Sequence, residues 1–232
     1  MQRQASFNEL FNASFEEIAA NRAACLIFLA VTVPLGAVSL AVFETAIIGP
    51  ASLLSGTAQG LGGWAASIAG TLLELVAQFW LTMALLRRTL RVAFDRLPPF
   101  IGTSVLNIIG LSLGILLFVI PGLIFATRFV LVPALVTEGR IPAMDSFAES
   151  WERTRESGWA LFGLVVCYLV VVVIVTLLAG AFAESLPESL RIAGWLVESL
   201  ASQGGTILST AVIIGAYRLL GDNTREIEEV FA

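Results

Sequence analysis

Apolar residues fall along this chain in long unbroken blocks rather than at the alternating periods of a water-soluble fold. Residues 23–43 and 159–182 carry no charge at all. Each block reaches the ~20 residues that a helix needs to cross a ~30 Å hydrocarbon core. A third block, at 64–86, contains Glu74 and Gln78 and stops at Arg87-Arg88, and a fourth, at 195–220, contains Glu198. Over residues 97–137 the one charged side chain is Arg128. As a single helix those residues would run about 60 Å, twice the membrane core. The chain must reverse, and Pro121-Gly122 is the natural place for the helix turn. That divides the stretch into spans at 100–120 and 123–136, the second short and kinked near Pro133. The pattern predicts an all-α polytopic membrane protein, a single domain over 1–232 with six transmembrane helices as three hairpins. The uncharged, glycine-rich residues 49–64 read as the loop of the first hairpin.

Two further segments have a helical period without the length to span. Residues 6–21 place Phe7, Leu10, Phe11, Phe15 and Ile18 on one face, with capping boxes at Ser6-x-x-Glu9 and Ser14-x-x-Glu17, the second a candidate restart of the helix near Ser14. Residues 142–157 place Met144, Phe147, Ala148 and Trp151 on one face, with Glu149 and Arg153 as an i,i+4 pair and Gly158 placed to end the helix. Both are predicted to be amphipathic interfacial helices. Both have acidic polar faces, unlike the Lys/Arg-rich helices that bind anionic lipid. The two share F-x-x-S-(F/W)-E, at Phe11-Asn-Ala-Ser14-Phe15-Glu16 and Phe147-Ala-Glu-Ser150-Trp151-Glu152, 136 residues apart. The same shift lays the first two spans on the last two. This suggests a parallel internal repeat, 11–86 on 147–222, a symmetry found in some transporters.

Composition agrees with the pattern: 57% hydrophobic residues, 13% charged and a mean hydropathy of +0.89, against the ~25% charged residues of soluble domains. All 13 basic residues are arginine and there is no histidine, so the commonest general base and metal ligand is missing. Cys25 and Cys167 both fall in predicted spans and read as small apolar residues. The 22 residues before the first span are net acidic, unlike a secretory signal. With the N-terminus inside, every arginine is cytoplasmic except Arg191, which is outside, and Arg128, which is within a span. That bias predicts a bacterial inner (plasma) membrane protein with both termini cytoplasmic.

Ionisable groups inside a membrane are costly, at least ~2.5–3.5 kcal/mol near the bilayer centre, and they usually pair. Glu74, Arg128 and Glu198, with Gln78, are therefore expected to form an intramembrane polar cluster, Arg128 pairing with Glu74, Glu198 or both. Two readings stay open: a structural clamp, or a polar cavity in which Arg128 receives an anionic group such as a lipid phosphate. Proton coupling through Glu74 is a third. Gly110-x-x-x-Gly114 and Asn107 read as ordinary helix contacts. The cytoplasmic helix with Phe147, Ser150, Trp151 and Glu152 is expected to be a docking surface for a membrane or cytoplasmic protein. The sequence offers no nucleophile–base set, metal spacing, cofactor motif or nucleic-acid patch. Its expected partners are the lipid bilayer, a protein and a bound phospholipid.

Pro121-Gly-Leu-Ile, Arg128, Pro133, Glu138 and the Ser150-Trp151-Glu152 helix resemble the bacterial YciC-like proteins and the membrane domains attached to some glycerophosphodiester phosphodiesterases. The six-helix pattern is shared over nearly the whole chain, and the motif likeness lies in residues 121–158. The resemblance implies an inner-membrane protein without an established activity, since hydrolysis in the fused relatives belongs to a separate soluble domain. The first expectation is a non-enzymatic accessory or scaffolding protein of the cell envelope. The alternative is a small transporter or lipid-handling protein with Arg128 in its cavity.

Overall fold

The computed structural model describes residues 5–43, 58–90, 94–117 and 119–231. Among them are nine α-helices: α1 Phe7–Ala20, α2 Arg22–Phe43, α3 Ala58–Arg87, α4 Leu97–Leu117, α5 Val119–Arg128, α6 Val132–Glu138, α7 Asp145–Arg153, α8 Gly158–Ser185 and α9 Arg191–Phe231. Short 3-10 turns at Phe94–Arg96 and Glu188–Leu190 precede α4 and α9, and the described residues contain no strand. Six segments are long and apolar enough to cross a membrane: Arg22–Val42, Ile68–Arg87, Phe94–Gly114, Pro121–Glu138, Gly158–Ser185 and Glu188–Gly221. The all-helical, six-span reading is thus met. Of the predicted loop at 49–64, residues 44–57 lie outside the described residues, and the rest already belongs to α3.

By contact the helices sort into two compact units, one of Met1–Ala24, Phe79–Val170 and Ile207–Ala232, the other of Cys25–Gln78 and Val171–Thr206. The first is organised around its shortest helix. In α6 Val132, Ala134, Leu135, Val136 and Thr137 are all buried. Leu135, with Leu131 just before the helix, packs with Leu10, Leu161, Leu164, Val212, Ala216 and Leu220. Val132 and Val136 pack with Phe79, Met83 and Phe100, flanked by Phe129 and Phe147. Alternate sides of one short helix therefore feed two apolar clusters.

The reversal in the middle of the chain differs from its prediction. Pro121 and Gly122 lie inside α5, in its first turn, and α4 is described as far as Leu117. A proline in the first turn removes an N–H that has no helical partner anyway, so it begins a helix as readily as it ends one. Gly122 serves close packing instead. A Cβ on Gly114 would come within 2.8 Å of the Gly122 Cα, and one on Gly110 within 2.4 Å of the Phe125 ring. The two glycines of Gly110-x-x-x-Gly114 thus bring α4 against α5, as small residues do between membrane helices.

The α1 helix begins as predicted: Ser6 Oγ accepts from the Glu9 N–H at 3.3 Å, and the Glu9 carboxylate accepts from the Ser6 N–H at 2.9 Å. It does not restart at Ser14, whose hydroxyl donates to the Leu10 carbonyl. The face it buries is Leu10, Ser14 and Glu17, while Phe7, Phe11 and Phe15 form an exposed row, Phe7 stacked on Phe11 and Phe11 tilted against Phe15. The last helix, α9, runs on through Phe231. In the second unit the contacts are again between small residues. The Ser199 hydroxyl donates to the Val33 carbonyl at 2.8 Å, beside Gly36, and Gly70 faces Ser39.

Candidate functional site at Arg128

The site follows from Pro133. In the second position of α6 its ring occupies the place of a backbone donor and would clash with the Phe129 carbonyl, so α5 cannot run on into α6. The chain breaks over residues 129–131. The Val132 N–H, which would reach Arg128 in a continuous helix, bonds to Phe129 instead at 3.2 Å. The Arg128 carbonyl is thereby released from the helix ladder, and a buried carbonyl needs a partner. The Ser150 hydroxyl of α7 supplies it at 2.7 Å, with the Thr154 hydroxyl at 3.4 Å.

The reverse contact uses the same residue. Arg128 Nη1 donates to the Thr154 carbonyl at the end of α7, 2.8 Å away, and its guanidinium lies 5.2 Å from the centre of the Trp151 ring. A cation at a helix C-terminus is favoured by the exposed carbonyls there, and an arginine over an indole face adds a cation–π attraction. So α7 caps α5 with a hydroxyl, and α5 caps α7 with a guanidinium. This also explains why α7 stops at Arg153, short of the predicted 157. Gly158 is the first residue of α8 rather than a helix terminator.

Beyond the guanidinium lies a cavity of about 280 Å³ lined by Ile124, Thr127, Arg128, Arg155, Glu156, Gly158, Trp159 and Phe162. Two arginines and one glutamate thus line it beside apolar residues. Trp159 is 87% exposed and Ile124 is exposed as well. Arg155 and Glu156 are exposed, and neither enters an ion pair among the described residues. The cavity can hold an oxyanion near the arginines while an apolar extension rests on Ile124, Trp159 and Phe162. The described residues contain no group of three or more potential metal ligands.

Of the expected quartet, Arg128 belongs to the first unit and Glu74, Gln78 and Glu198 to the second. Arg128 has the Thr154 carbonyl and the Trp151 ring where a carboxylate was expected. Glu74 accepts from Gln203 Nε2 at 3.4 Å, the outer limit of a hydrogen bond. The physical reason is local: the freed end of α7 sits beside Arg128. Of the expected docking helix, Phe147 packs on Phe129 with ring centres 5.4 Å apart and Ser150 is buried. Those two side chains are consumed within the fold, leaving Trp151 and Glu152 exposed. The predicted Glu149–Arg153 pair is present at 2.6 Å.

Two polar clusters were not anticipated. Glu17, with its side chain only 6% exposed, lies 3.0 Å from Arg218 Nη1 and 3.4 Å from Arg88 Nη2. Asn21 donates to the Glu17 carboxylate and main-chain carbonyl. Arg218 also donates to the Leu85 and Leu86 carbonyls at the end of α3, just before Arg88 turns left-handed at φ 49°. The second cluster joins Arg140 to Glu138 at 2.9 Å and Tyr217 to Glu138, with Arg153 over the Tyr217 ring. A signal for the first cluster was present: Leu10, Ser14, Glu17 and Asn21 form a helical stripe as regular as the phenylalanine row.

No protein-family model matches the chain, and no curated protein or solved structure matches it. The likeness carried by residues 121–158 accordingly stands as an expectation.

Proposed function

We propose that this chain is a non-enzymatic, multi-pass protein of a bacterial inner membrane, with three hairpins and both termini cytoplasmic, whose Arg128 cavity holds the phosphate of a membrane lipid. The observation that carries this reading is the composition of the cavity wall: Arg128 and Arg155 beside Ile124, Trp159 and Phe162. Arginine forks match phosphate geometry. The apolar wall belongs to residues of two candidate spans, Pro121–Glu138 and Gly158–Ser185. The arginine bias places the loop carrying Arg155 on the cytoplasmic side, level with the headgroups of the inner leaflet, and Trp159 suits that interface. A pocket of about 280 Å³ suits a headgroup rather than a whole lipid. The YciC-like resemblance agrees with an inner-membrane setting. The test is lipid retention: wild type washed extensively in mild detergent keeps phospholipid, measured by mass spectrometry of the extract. Arg155→Gln loses it without a change in thermal stability. Equal retention in the two proteins would refute the reading.

An accessory role is a second reading, supported by the outward Trp151, Glu152 and Met144 of the α7 segment. Under it, Glu152→Lys, at an exposed position outside the cavity wall, abolishes co-purification of a protein partner from native membranes and leaves lipid retention unchanged.

A further inference from the structure

Glu156 is out of place in a cavity that only neutralises a phosphate. It lines the same cavity as Arg128 and Arg155, and among the described residues neither it nor Arg155 is engaged in an ion pair. An oxyanion alone would be drawn by the two guanidinium groups and repelled by the carboxylate. A cation alone would meet the opposite balance. A guest carrying both a phosphate and an ammonium group satisfies all three side chains at once, its N–H groups donating to Glu156 while its phosphate oxygens accept from the arginines. Arg155 and Glu156 are adjacent residues in the turn between α7 and α8, so the guest's own two charges must be close together. The apolar wall of Ile124, Trp159 and Phe162 gives such a guest a hydrophobic continuation.

We infer that the cavity selects a phosphoethanolamine group, a phosphodiester joined to a primary amine, and that its source is a lipid. The inference rests on the lipid-phosphate reading and adds the headgroup class. An amine with N–H donors distinguishes it from phosphocholine, whose quaternary nitrogen donates no hydrogen bond, and from phosphoglycerol, which has no positive charge. One charge-assisted hydrogen bond supports a preference of about tenfold.

The experiment is competition binding to the delipidated full chain in detergent, read by native mass spectrometry. The probes are phosphatidylethanolamine, phosphatidylcholine and phosphatidylglycerol of identical acyl chains, with free phosphoethanolamine and inorganic phosphate as soluble arms. The expected result is about tenfold tighter binding of phosphatidylethanolamine than of either other lipid, with both soluble probes far weaker. Glu156→Gln removes the preference and keeps phosphatidylglycerol binding. A wild type that binds the three lipids equally, or an unchanged preference in Glu156→Gln, overturns the headgroup assignment alone. Phosphoethanolamine competing as well as the lipid overturns the lipid source. Absence of binding by every phospholipid overturns the lipid-phosphate reading itself. Both Arg155 and Glu156 are exposed, and a matched unfolding midpoint for each variant separates loss of binding from loss of fold.

Discussion

Removing the carboxylate of Glu17 tests the packing of the first unit most directly. Its Oε1 lies 3.0 Å from Arg218 and 3.4 Å from Arg88, with the arginine side chains 28% and 59% exposed. With the N–O distance as the charge separation, the Arg218 pair has a gross attraction of about 5.5 kcal/mol at an effective dielectric of ~20. The more exposed Arg88 pair is nearer ~1.2 kcal/mol, the value for water. Desolvation cancels much of the first figure, but taking this carboxylate away from the half-buried Arg218, which keeps its bonds to the Leu85 and Leu86 carbonyls, costs toward the lower end of the ~3–5 kcal/mol of broken buried pairs. Glu17→Ala should therefore destabilise by about 3 kcal/mol. The assay is SDS-induced unfolding in mixed micelles, followed by circular dichroism, over two double-mutant cycles. Glu17 with Arg218→Ala should show a coupling of about 2 kcal/mol, and Glu17 with Arg88→Ala less than about 1 kcal/mol. A change below ~0.5 kcal/mol for Glu17→Ala, or equal coupling to the two arginines, would refute the argument.

Other changes read out separate contacts by the same unfolding measurement. Gly114→Ala places a methyl 2.8 Å from the Gly122 backbone and should cost about 1–3 kcal/mol through overpacking. Gly102→Ala, in the same helix with nothing within 4 Å of the new Cβ, should instead gain about 0.5–1 kcal/mol from helix propensity. Equal effects at the two positions would exclude close α4–α5 packing as the cause. Ser150→Ala deprives the Arg128 carbonyl of its 2.7 Å donor and should cost about 1–3 kcal/mol, whereas Ser150→Thr should retain most of the stability. Gly139 takes φ 76°, and its Cβ would meet Arg96 Nε at 2.6 Å. Gly139→Ala should therefore lose at least ~1–2 kcal/mol and an Arg96→Ala background should recover only the steric share.

How much of this was legible from the residues alone differs from element to element. The six spans were readable because an uninterrupted apolar block has one stable use, a helix in hydrocarbon, whatever surrounds it. The Ser6–Glu9 box and the Glu149–Arg153 pair were readable for a related reason: their partners lie within one helical turn, so backbone geometry alone brings them together. Arg128 was recognised as exceptional because a lone charge in such a block demands a partner.

Which partner it takes was decided by the tertiary structure. Pro133 frees one carbonyl, and that carbonyl draws in Ser150 and with it the end of α7. The guanidinium then finds a main-chain acceptor closer than any carboxylate, a sequence of events that no spacing rule contains. The face that α1 buries was settled in the same way. Sequence pattern favours the more apolar stripe for the interior, but beside a bilayer the apolar stripe has somewhere else to go. The phenylalanines stay outside, and Glu17 turns inward because Arg218 and Arg88, 201 and 71 residues away in the chain, converge on it. Local order was written in the apolar blocks and turn-length contacts. The pairing of distant polar groups was not, because it depends on which backbone acceptors the breaks leave open.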